Sequence, residues 1–278
     1  MNITKAIILT AGWGTRRLPV TKVIEKNMLP IGNRPIIDYV VEDCIKAGIK
    51  DIYFVISDNL GESQIRAYYS RNEKLEEYLT KYKKEDRIGM ITVPEGINFH
   101  YVVQSEGAYG TAIPVALAVD EFQINEPTII ATGDAFFYNS TGESEIAKMI
   151  DIVDDASDGA ILGIALDESE LSKYGVLTIS DNNLTGIVEK PAVGEAPSNL
   201  INSSYYIMPG EALKITSDFV KNNDFGTEKE YYLTDAITEF VQNGGKMRVV
   251  ANTNEYLDGG SLDGWLHANE VVGKDLLK

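Results

Sequence analysis

Short, almost continuously apolar runs in this chain alternate with longer stretches in which apolar residues recur at helical spacing. Residues 5–10 and 51–57 form two such runs, which are typical of parallel strands buried on both faces. Between them, Pro35 opens the amphipathic stretch PIIDYVVEDCIKA, and Gly48 follows it as a helix-ending glycine. This strand–helix–strand order predicts a βαβ unit with a right-handed crossover.

The same alternation continues through the rest of the chain. Further strands are predicted at 99–104, 127–137, 159–166, 174–180, 184–191 and 199–208, and further helices at 111–122 and 232–244. Residues 61–88 are polar and rich in tyrosine, and their helical spacing predicts a helical excursion near 60–97. Because no repeat or linker interrupts the pattern, we expect residues 1–278 to form a single α/β domain. Its fold would be a Rossmann-like mixed, mostly parallel sheet flanked by helices.

Composition narrows the classes of function that this chain can have. Its 25 Lys and Arg residues and 42 Asp and Glu residues give a formal net charge of −17, which repels nucleic acids and anionic membranes. An anionic substrate would therefore need a local positive field. Cys44 is the single cysteine, which excludes an intramolecular disulfide. No apolar run approaches the roughly 20 residues of a membrane span, and the first run resembles a strand more than a secretion signal, so we expect a cytoplasmic protein.

The segment LTAGWGTRRLPVTKVIEKNMLP, residues 9–30, supplies such a field. Four cationic side chains accompany one carboxylate, Glu25, between positions 16 and 26. Arg17 occupies the third glycine position of a dinucleotide fingerprint, and no G-K-[ST] follows, which argues against a dinucleotide loop and excludes a P-loop. The small residues at 11, 12 and 14 would let backbone N–H groups approach a polyphosphate, with Arg16 forking onto its oxygens. The alternative is a solvated surface loop.

Other candidate residues follow predicted strands. In open α/β sheets, ligands bind outside the carboxyl ends of the strands, so we expect the glycine loop, Gln104 and Asp134 to contribute to one site. Each residue alone has a simpler explanation. Asp134 could cap a turn, Asp258 precedes two glycines as in an ordinary turn, and Glu189 could form a solvated charge pair with Lys190.

The 9–30 segment resembles the signature of the sugar-1-phosphate nucleotidyltransferase family, G-x-G-T-R-x-x-P-x-T-x-x-x-x-K-x-x-L-P. The matching positions are Gly12, Gly14, Thr15, Arg16, Pro19, Thr21, Lys26, Leu29 and Pro30. TGD at 132–134, VEKP at 188–191 and YLDGG at 256–260 follow in the family's order. The segments TKVIEKNMLP, YYSRNEKLEEYL, KYGV, APSNL and EYYLTDAI are most similar to the bacterial UTP–glucose-1-phosphate uridylyltransferase branch.

This resemblance implies a nucleotidyltransferase (glycosyltransferase-A-like) fold, transfer of the uridylyl group of UTP to glucose 1-phosphate, and a homodimer or homotetramer. It also implies a role for each matching residue. Arg16 and Lys26 would be catalytic, and Asp134 and Asp258 would ligate Mg²⁺. The nucleotide would contact Ala11, Gly12, Gly14, Thr15, Gln104 and Gly110, and the sugar phosphate would contact Gly175, Glu189 and Lys190.

Several positions depart from the family's pattern. Glu25 adds a negative charge beside Lys26, Ala112 interrupts the glycine-rich element after Gln104, Ala135 replaces an acidic or amide residue, and Ser204 replaces a glycine. Three alternatives follow: a thymidylyltransferase, a uridylyltransferase for another hexose 1-phosphate, and a catalytically silent relative that binds sugar nucleotides. A nicotinamide-dependent oxidoreductase would rest only on the first two glycines.

Overall fold

The computed structural model of this protein describes residues 2–61 and 63–278. Its strands are β1 (Lys5–Leu9), β2 (Pro30–Ile31), β3 (Arg34–Pro35), β4 (Asp51–Ser57), β5 (Asn98–Gln104), β6 (Thr128–Thr132), β7 (Ala135–Tyr138), β8 (Gly159–Ala165), β9 (Gly175–Ser180), β10 (Asn183–Glu189), β11 (Leu200–Met208), β12 (Met247–Ala251) and β13 (Glu255–Asp258). Its helices are α1 (Ile36–Lys46), α2 (Gln64–Tyr68), α3 (Glu73–Lys81), α4 (Ala112–Phe122), α5 (Glu145–Asp151), α6 (Glu168–Leu171), α7 (Gly210–Asn222), α8 (Leu233–Gln242) and α9 (Leu262–Leu276).

A nine-stranded sheet runs through both halves of the chain in the order β5-β4-β1-β6-β11-β8-β12-β10-β9. β1 pairs in parallel with β4 and β6, and β4 pairs in parallel with β5. The second half is mixed, because β11 is antiparallel to β6 and β8, whereas β12 is parallel to β8. The mixed α/β fold is therefore confirmed. The sheet is not mostly parallel, however, because four of the eight neighbouring strand pairs in this order are parallel, and three of those four lie in the first half.

Both faces of the sheet are buried, which explains the apolar strand runs. In β1, Ala6 and Ile8 face one core with α1 and α5, whereas Ile7 faces a second core with α4, α7 and α8. Successive side chains of a strand point to opposite faces, so a strand covered on both sides needs apolar residues at every position. Cys44 is fully buried in the first core, where it packs as a small hydrophobe.

The prediction of one continuous strand at 127–137 is wrong, because this segment forms two strands. The chain breaks at Gly133, so β6 stays in the main sheet while β7 pairs antiparallel with β13 in a separate two-stranded sheet. At the break, the Gly133 N–H donates to the Leu9 carbonyl at 3.1 Å, and a Cβ on Gly133 would lie 2.8 Å from Thr10 Cγ2. This close approach turns the chain sharply and leaves Asp134 between the two strands.

The predicted helical excursion lies between β4 and β5. It contains α2, α3 and a 3₁₀ segment, Glu85–Met90. That the whole chain is a single domain stays a prediction. Within residues 2–61 and 63–278, no helix has both the length and the apolar character needed to cross a bilayer.

Candidate active site

The loop after β1 folds tightly around Lys26. Gly14 adopts a left-handed conformation with φ of +66°, and a Cβ there would lie 2.9 Å from Thr21 Cγ2 and 3.1 Å from Lys26 Cβ. A Cβ on Gly12 would lie 3.1 Å from Lys26 Cε. The glycines therefore let the backbone approach the lysine closely, which a surface loop would not require.

Lys26 forms an ion pair with Asp134. Lys26 Nζ donates to Asp134 Oδ2 at 2.7 Å, and the two side chains are 19% and 12% exposed. Burial acts to raise the pKa of Asp134, but the charge and hydrogen bond of Lys26, with Arg16 nearby, hold that pKa below its usual value. Asp134 is thus an anion at neutral pH, as a carboxylate that ligates a metal ion must be.

Asp258 reaches the same place from the end of β13, where it pairs with Ala135. The Gly259 N–H donates to the Asp134 carbonyl at 2.8 Å, and the Gly260 N–H donates to Asp258 Oδ1 at 2.7 Å. Burial raises the pKa of Asp258, and the nearby Asp134 carboxylate acts in the same direction. A divalent cation between the two carboxylates would oppose this shift, as the charges of Arg16 and Lys26 already do.

The two carboxylates suit a hard divalent cation. A Cβ on Gly260 would lie 2.9 Å from Asp258 Oδ1, 3.0 Å from Asp134 Oδ2 and 3.5 Å from an Arg16 guanidinium nitrogen. Only glycine therefore leaves the space between these oxygens clear. Across the described residues, no cluster of three or more His, Cys, Asp or Glu forms a complete protein cage. Two carboxylate ligands, with phosphate and water oxygens completing the shell, are typical of Mg²⁺ sites.

A cavity of about 430 Å³ opens beside this ion pair, at the carboxyl ends of β1, β5 and β6. It gathers most of the residues that were predicted to bind the nucleotide or its phosphates. The predicted residues that line it are Ala11, Gly12, Arg16, Lys26, Gln104, Gly110 and Asp134. Gly14 and Thr15 are not among its lining residues and lie in the turn that leads to Arg16.

The far wall of the cavity depends on a close backbone contact. Gly110 has φ of +118°, and a Cβ there would lie 2.3 Å from the Tyr231 carbonyl oxygen. Thr111 Oγ1 accepts from the Leu233 N–H at 3.0 Å, so the loop after β5 caps the first turn of α8. This contact brings Glu230 into the cavity wall.

The predicted sugar-phosphate residues form a second group at the end of the β9–β10 hairpin. Glu189 lies directly opposite Gly175, and a Cβ on Gly175 would lie 2.9 Å from Glu189 Oε1. Thr234 Oγ1 donates to Glu189 Oε1 at 3.2 Å, which links the group to α8. Lys190 is exposed and has φ of +47°. None of these residues lines the cavity beside the ion pair, although Glu230, which lies just before α8, does.

Two charged residues of the loop face away from the site. Arg17 is buried, donates to the Ser261 carbonyl at 3.0 Å, and stacks over the Trp265 ring at 4.9 Å. Glu25 accepts from the Gln64 N–H at 2.5 Å instead of approaching the Lys26 amine. Counting charges along the sequence therefore overstated the local field, because Arg16 and Lys26 are the cations of this loop that line the cavity.

Sequence reasoning missed two aromatic residues of the cavity. Trp13 is 54% exposed and Tyr109 is 45% exposed, and both line it. Exposed aromatic rings at a pocket commonly supply contact area for a planar ligand. The available signal was a tryptophan between two loop glycines, a position where no core could bury it.

Two further departures, Ser204 and Ala135, lie in well-defined local environments. Ser204 has φ of +63° at an irregularity in β11, a conformation that favours glycine. Its N–H donates to Asn202 Oδ1 at 2.9 Å, which supports the strained backbone. Ala135 is buried, and its carbonyl accepts from Tyr205 Oη at 2.9 Å.

Comparisons with known proteins identify the family of this chain. The family model described as Nucleotidyl transferase matches residues 5–275. A UTP–glucose-1-phosphate uridylyltransferase from Staphylococcus epidermidis is 34% identical over 243 residues, covering 85% of this chain and 81% of that protein. A solved UDP-glucose pyrophosphorylase from Acinetobacter baumannii has a TM-score of 0.88 at 30% identity, covering 99% of this chain and 94% of that one. A UTP-bound structure described as UGPase from the same organism has a TM-score of 0.87 at 28% identity, with the same coverage.

Proposed function

This chain belongs to the nucleotidyl transferase family, and on that premise we propose that it is a UTP–glucose-1-phosphate uridylyltransferase. It transfers the uridylyl group of UTP to glucose 1-phosphate and releases pyrophosphate. The observation that carries this function to the chain's own residues is the approach of Asp134, Asp258 and Arg16 to one point, beside a cavity that Lys26 also lines.

The reaction joins two anions. A phosphate oxygen of glucose 1-phosphate attacks the α-phosphorus of UTP, and the bond from that phosphorus to the bridging oxygen of pyrophosphate breaks. Arg16 and Lys26 offset the repulsion between the substrates and stabilise the charge that develops on the α-phosphate and the leaving group. Positioning supplies most of the remaining barrier reduction.

No general base is needed, because the sugar phosphate is already an anionic nucleophile near neutral pH. Both histidines lie elsewhere. His100 Nε2 lies 2.9 Å from Asp51 Oδ1, near the amino end of β5 and away from the cavity end. His267 Nε2 lies 3.3 Å from Glu255 Oε1 on the exposed side of α9.

The Lys26–Asp134 ion pair holds both side chains ready in the absence of substrate. When the triphosphate enters, Lys26 Nζ exchanges part of its interaction with Asp134 for phosphate oxygens. The lysine therefore does not have to be ordered anew for each turnover, which lowers the entropic cost of reaching the transition state.

The family uses a divalent metal ion, and the oxygen ligands favour Mg²⁺. Asp134 and Asp258 would hold it. When bound, Mg²⁺ would offset negative charge on the phosphates.

Specific contacts are proposed for both substrates. Backbone groups of Ala11 and Gly12, together with Gln104 and Gly110, would bind uracil and ribose at the cavity wall, while N–H groups of Gly14 and Thr15 would approach the phosphates. On the hairpin side, Glu189 would accept from glucose hydroxyls beside Gly175, and Lys190 would bind the sugar phosphate. A cytoplasmic location and a homodimer or homotetramer remain proposals that accompany this function.

The test is pyrophosphate release across a grid of nucleotides and sugar 1-phosphates with Mg²⁺ present. UTP with glucose 1-phosphate should give the highest kcat/KM, and the product should have the mass of UDP-glucose. A preference for dTTP would instead indicate a thymidylyltransferase. A preference for another hexose 1-phosphate would indicate a uridylyltransferase for that sugar. If no pair supported turnover while UDP-glucose still bound, the chain would be a sugar-nucleotide-binding relative.

A further inference from the structure

Gln64, the first residue of α2, is hydrogen bonded to the loop that leads into Lys26. Its side-chain Oε1 accepts from the Glu25 N–H at 3.0 Å, and its Nε2 donates to the Val23 carbonyl at 2.8 Å. In return, the Gln64 N–H donates to Glu25 Oε1 at 2.5 Å. Three hydrogen bonds therefore join two residues of the loop to one residue of the helical excursion, across 39 or 41 positions of sequence.

These bonds hold the backbone of Glu25, the residue immediately before Lys26, in place. Glu25 is the N-cap of the 3₁₀ turn Lys26–Met28, and its carbonyl accepts from the Met28 N–H at 2.8 Å. Rotation of the Glu25 backbone would redirect the Lys26 side chain, which must pass Gly12 and Gly14 to reach Asp134. The direction of the lysine is thus set at Glu25.

The other end of this connection is anchored in the fold. Ile65 is fully buried, and the Tyr69 ring stacks on Phe54 at 5.4 Å and on Phe99 at 4.6 Å. Tyr69 Oη also donates to Asp38 Oδ1 at 3.2 Å. Because α2 is held against β4, β5 and α1, Gln64 presents its amide from a fixed support.

We propose that Gln64 is a positioning residue that holds Lys26 in its reactive direction through Glu25. The proposal rests on the proposed function, in which Lys26 contacts the transferred phosphate. It also assigns a role to the excursion, which otherwise lies outside the cavity. Glu25, the acidic departure beside the lysine, is then a clamp for the loop and does not neutralise the site.

Steady-state kinetics of Gln64→Ala give the first test. Loss of both side-chain bonds should lower kcat by about 10²-fold, the effect of a displacement of roughly 1 Å at a reacting group, while KM for UTP and glucose 1-phosphate changes little. Gln242→Ala is the matched control, because Gln242 is exposed at the end of α8. It should retain the parent kcat.

Conservative variants separate positioning from simple stability. Glu25→Gln keeps an oxygen that can accept from the Gln64 N–H and should retain most of the parent kcat. Glu25→Ala removes that acceptor and should resemble Gln64→Ala. In the double variant Glu25→Ala/Gln64→Ala, the two losses should not add, because both act on the same connection.

Amine labelling measures the accessibility of the Lys26 side chain directly and does not depend on turnover. Lys26 is mostly buried and ion paired, whereas Lys22 is exposed and serves as the internal reference. After brief treatment with an amine-acylating reagent, mass spectrometry should show faster labelling of Lys26, relative to Lys22, in Gln64→Ala than in the parent.

A lower kcat together with faster Lys26 labelling supports the positioning role. An unchanged kcat overturns it, and so does a lower kcat without faster labelling, since Lys26 would then still be held in its original direction. If the parent shows no turnover with any substrate pair, the proposed function fails. The labelling ratio then still decides whether Gln64 directs Lys26.

Discussion

Asp134 and Asp258 each bring one carboxylate oxygen to within 3.0 Å of the same point beside Gly260. Their proximity follows from the pairing of β13 with β7, which sets Asp258 opposite Ala135, next to Asp134 in the chain. Neither aspartate is close to the other in sequence. The register of a two-stranded sheet therefore creates the proposed metal site.

Gly260→Ala should weaken the metal site without removing a ligand. The added methyl group would lie about 3 Å from both carboxylate oxygens, so one carboxylate must move. We expect apparent Mg²⁺ affinity to fall by about 10–100-fold, measured by titrating turnover with Mg²⁺. Gly273→Ala is the matched control on α9, because a methyl group there meets no atom within 4 Å. Equal Mg²⁺ dependence in both variants would contradict the assignment.

Lys26→Ala should separate catalysis from nucleotide binding. Loss of the cation that faces the transferred phosphate should lower kcat by about 10²–10³-fold, with a smaller change in UTP affinity, because other groups of the cavity still bind the nucleotide. Lys22→Ala, at an exposed position of the same loop, should behave like the parent. Turnover and equilibrium binding of UTP, measured on the same preparations, check this. An undiminished kcat would remove Lys26 from the mechanism.

The adjacent arginines should have opposite phenotypes. Arg16 lines the cavity, so Arg16→Ala should lower kcat/KM with little change in the midpoint of thermal unfolding. Arg17→Ala should instead lower the free energy of unfolding by about 1–3 kcal/mol, because it removes the bond to the Ser261 carbonyl and the stacking on Trp265. Denaturant unfolding and initial rates distinguish them. A stable but inactive Arg17→Ala would show that the loop reorganises around its substrates.

Asp43 should make the protein less stable as pH rises through the mildly acidic range. Burial raises the pKa of Asp43 to about 6, with Glu145 nearby adding to the shift and Ser144 and Lys46 opposing it. A raised carboxyl pKa means that the folded state holds its proton longer than the unfolded state. Stability is therefore greatest below the unfolded pKa and falls until pH passes about 6.

Asp43→Asn tests this dependence. Removal of the buried charge should recover about 3 kcal/mol of unfolding free energy at pH 8 and about half of that at pH 5. Urea unfolding across this range gives the two curves. Asp154→Asn, at an exposed loop position, should keep the parent's pH dependence. Parallel curves for Asp43→Asn and the parent would show that the Asp43 charge is accommodated in the fold.

Trp13 should report nucleotide binding. The chain has two tryptophans, and the other, Trp265, donates its Nε1–H to the Pro30 carbonyl at 2.9 Å. In Trp265→Phe, the remaining emission comes from Trp13 at the cavity, and UTP should change it saturably. Trp13→Phe should lose this response. A UTP titration that left the Trp13 emission unchanged would place the base away from this ring.

Much of the fold could be predicted from the sequence. Strands such as β1 and β4 are buried on both faces and therefore need apolar residues at nearly every position. Their continuous apolar runs are visible in the local sequence. Helices α5, α6, α7 and α9 and strands β12 and β13 were not predicted, because their segments mix polar and apolar residues and depend on neighbours that are distant in the chain. The two-residue strands β2 and β3 were not predicted either. The break between β6 and β7 was missed for the same reason, since both strands are apolar and the close contacts of Gly133 at the break, with Leu9, Thr10 and Ile37, come from distant segments.

The sequence by itself determined the loop chemistry, because the glycines, Arg16 and Lys26 act within one short segment whose spacing sets their reach. Only the tertiary structure decided which charges enter the site. Arg17 turns toward α9 and Glu25 toward α2, since each finds a hydrogen-bond partner there, while Asp258 joins Asp134 through strand register. Local spacing specifies which groups are available, but the direction of a side chain depends on partners that folding brings from far along the chain.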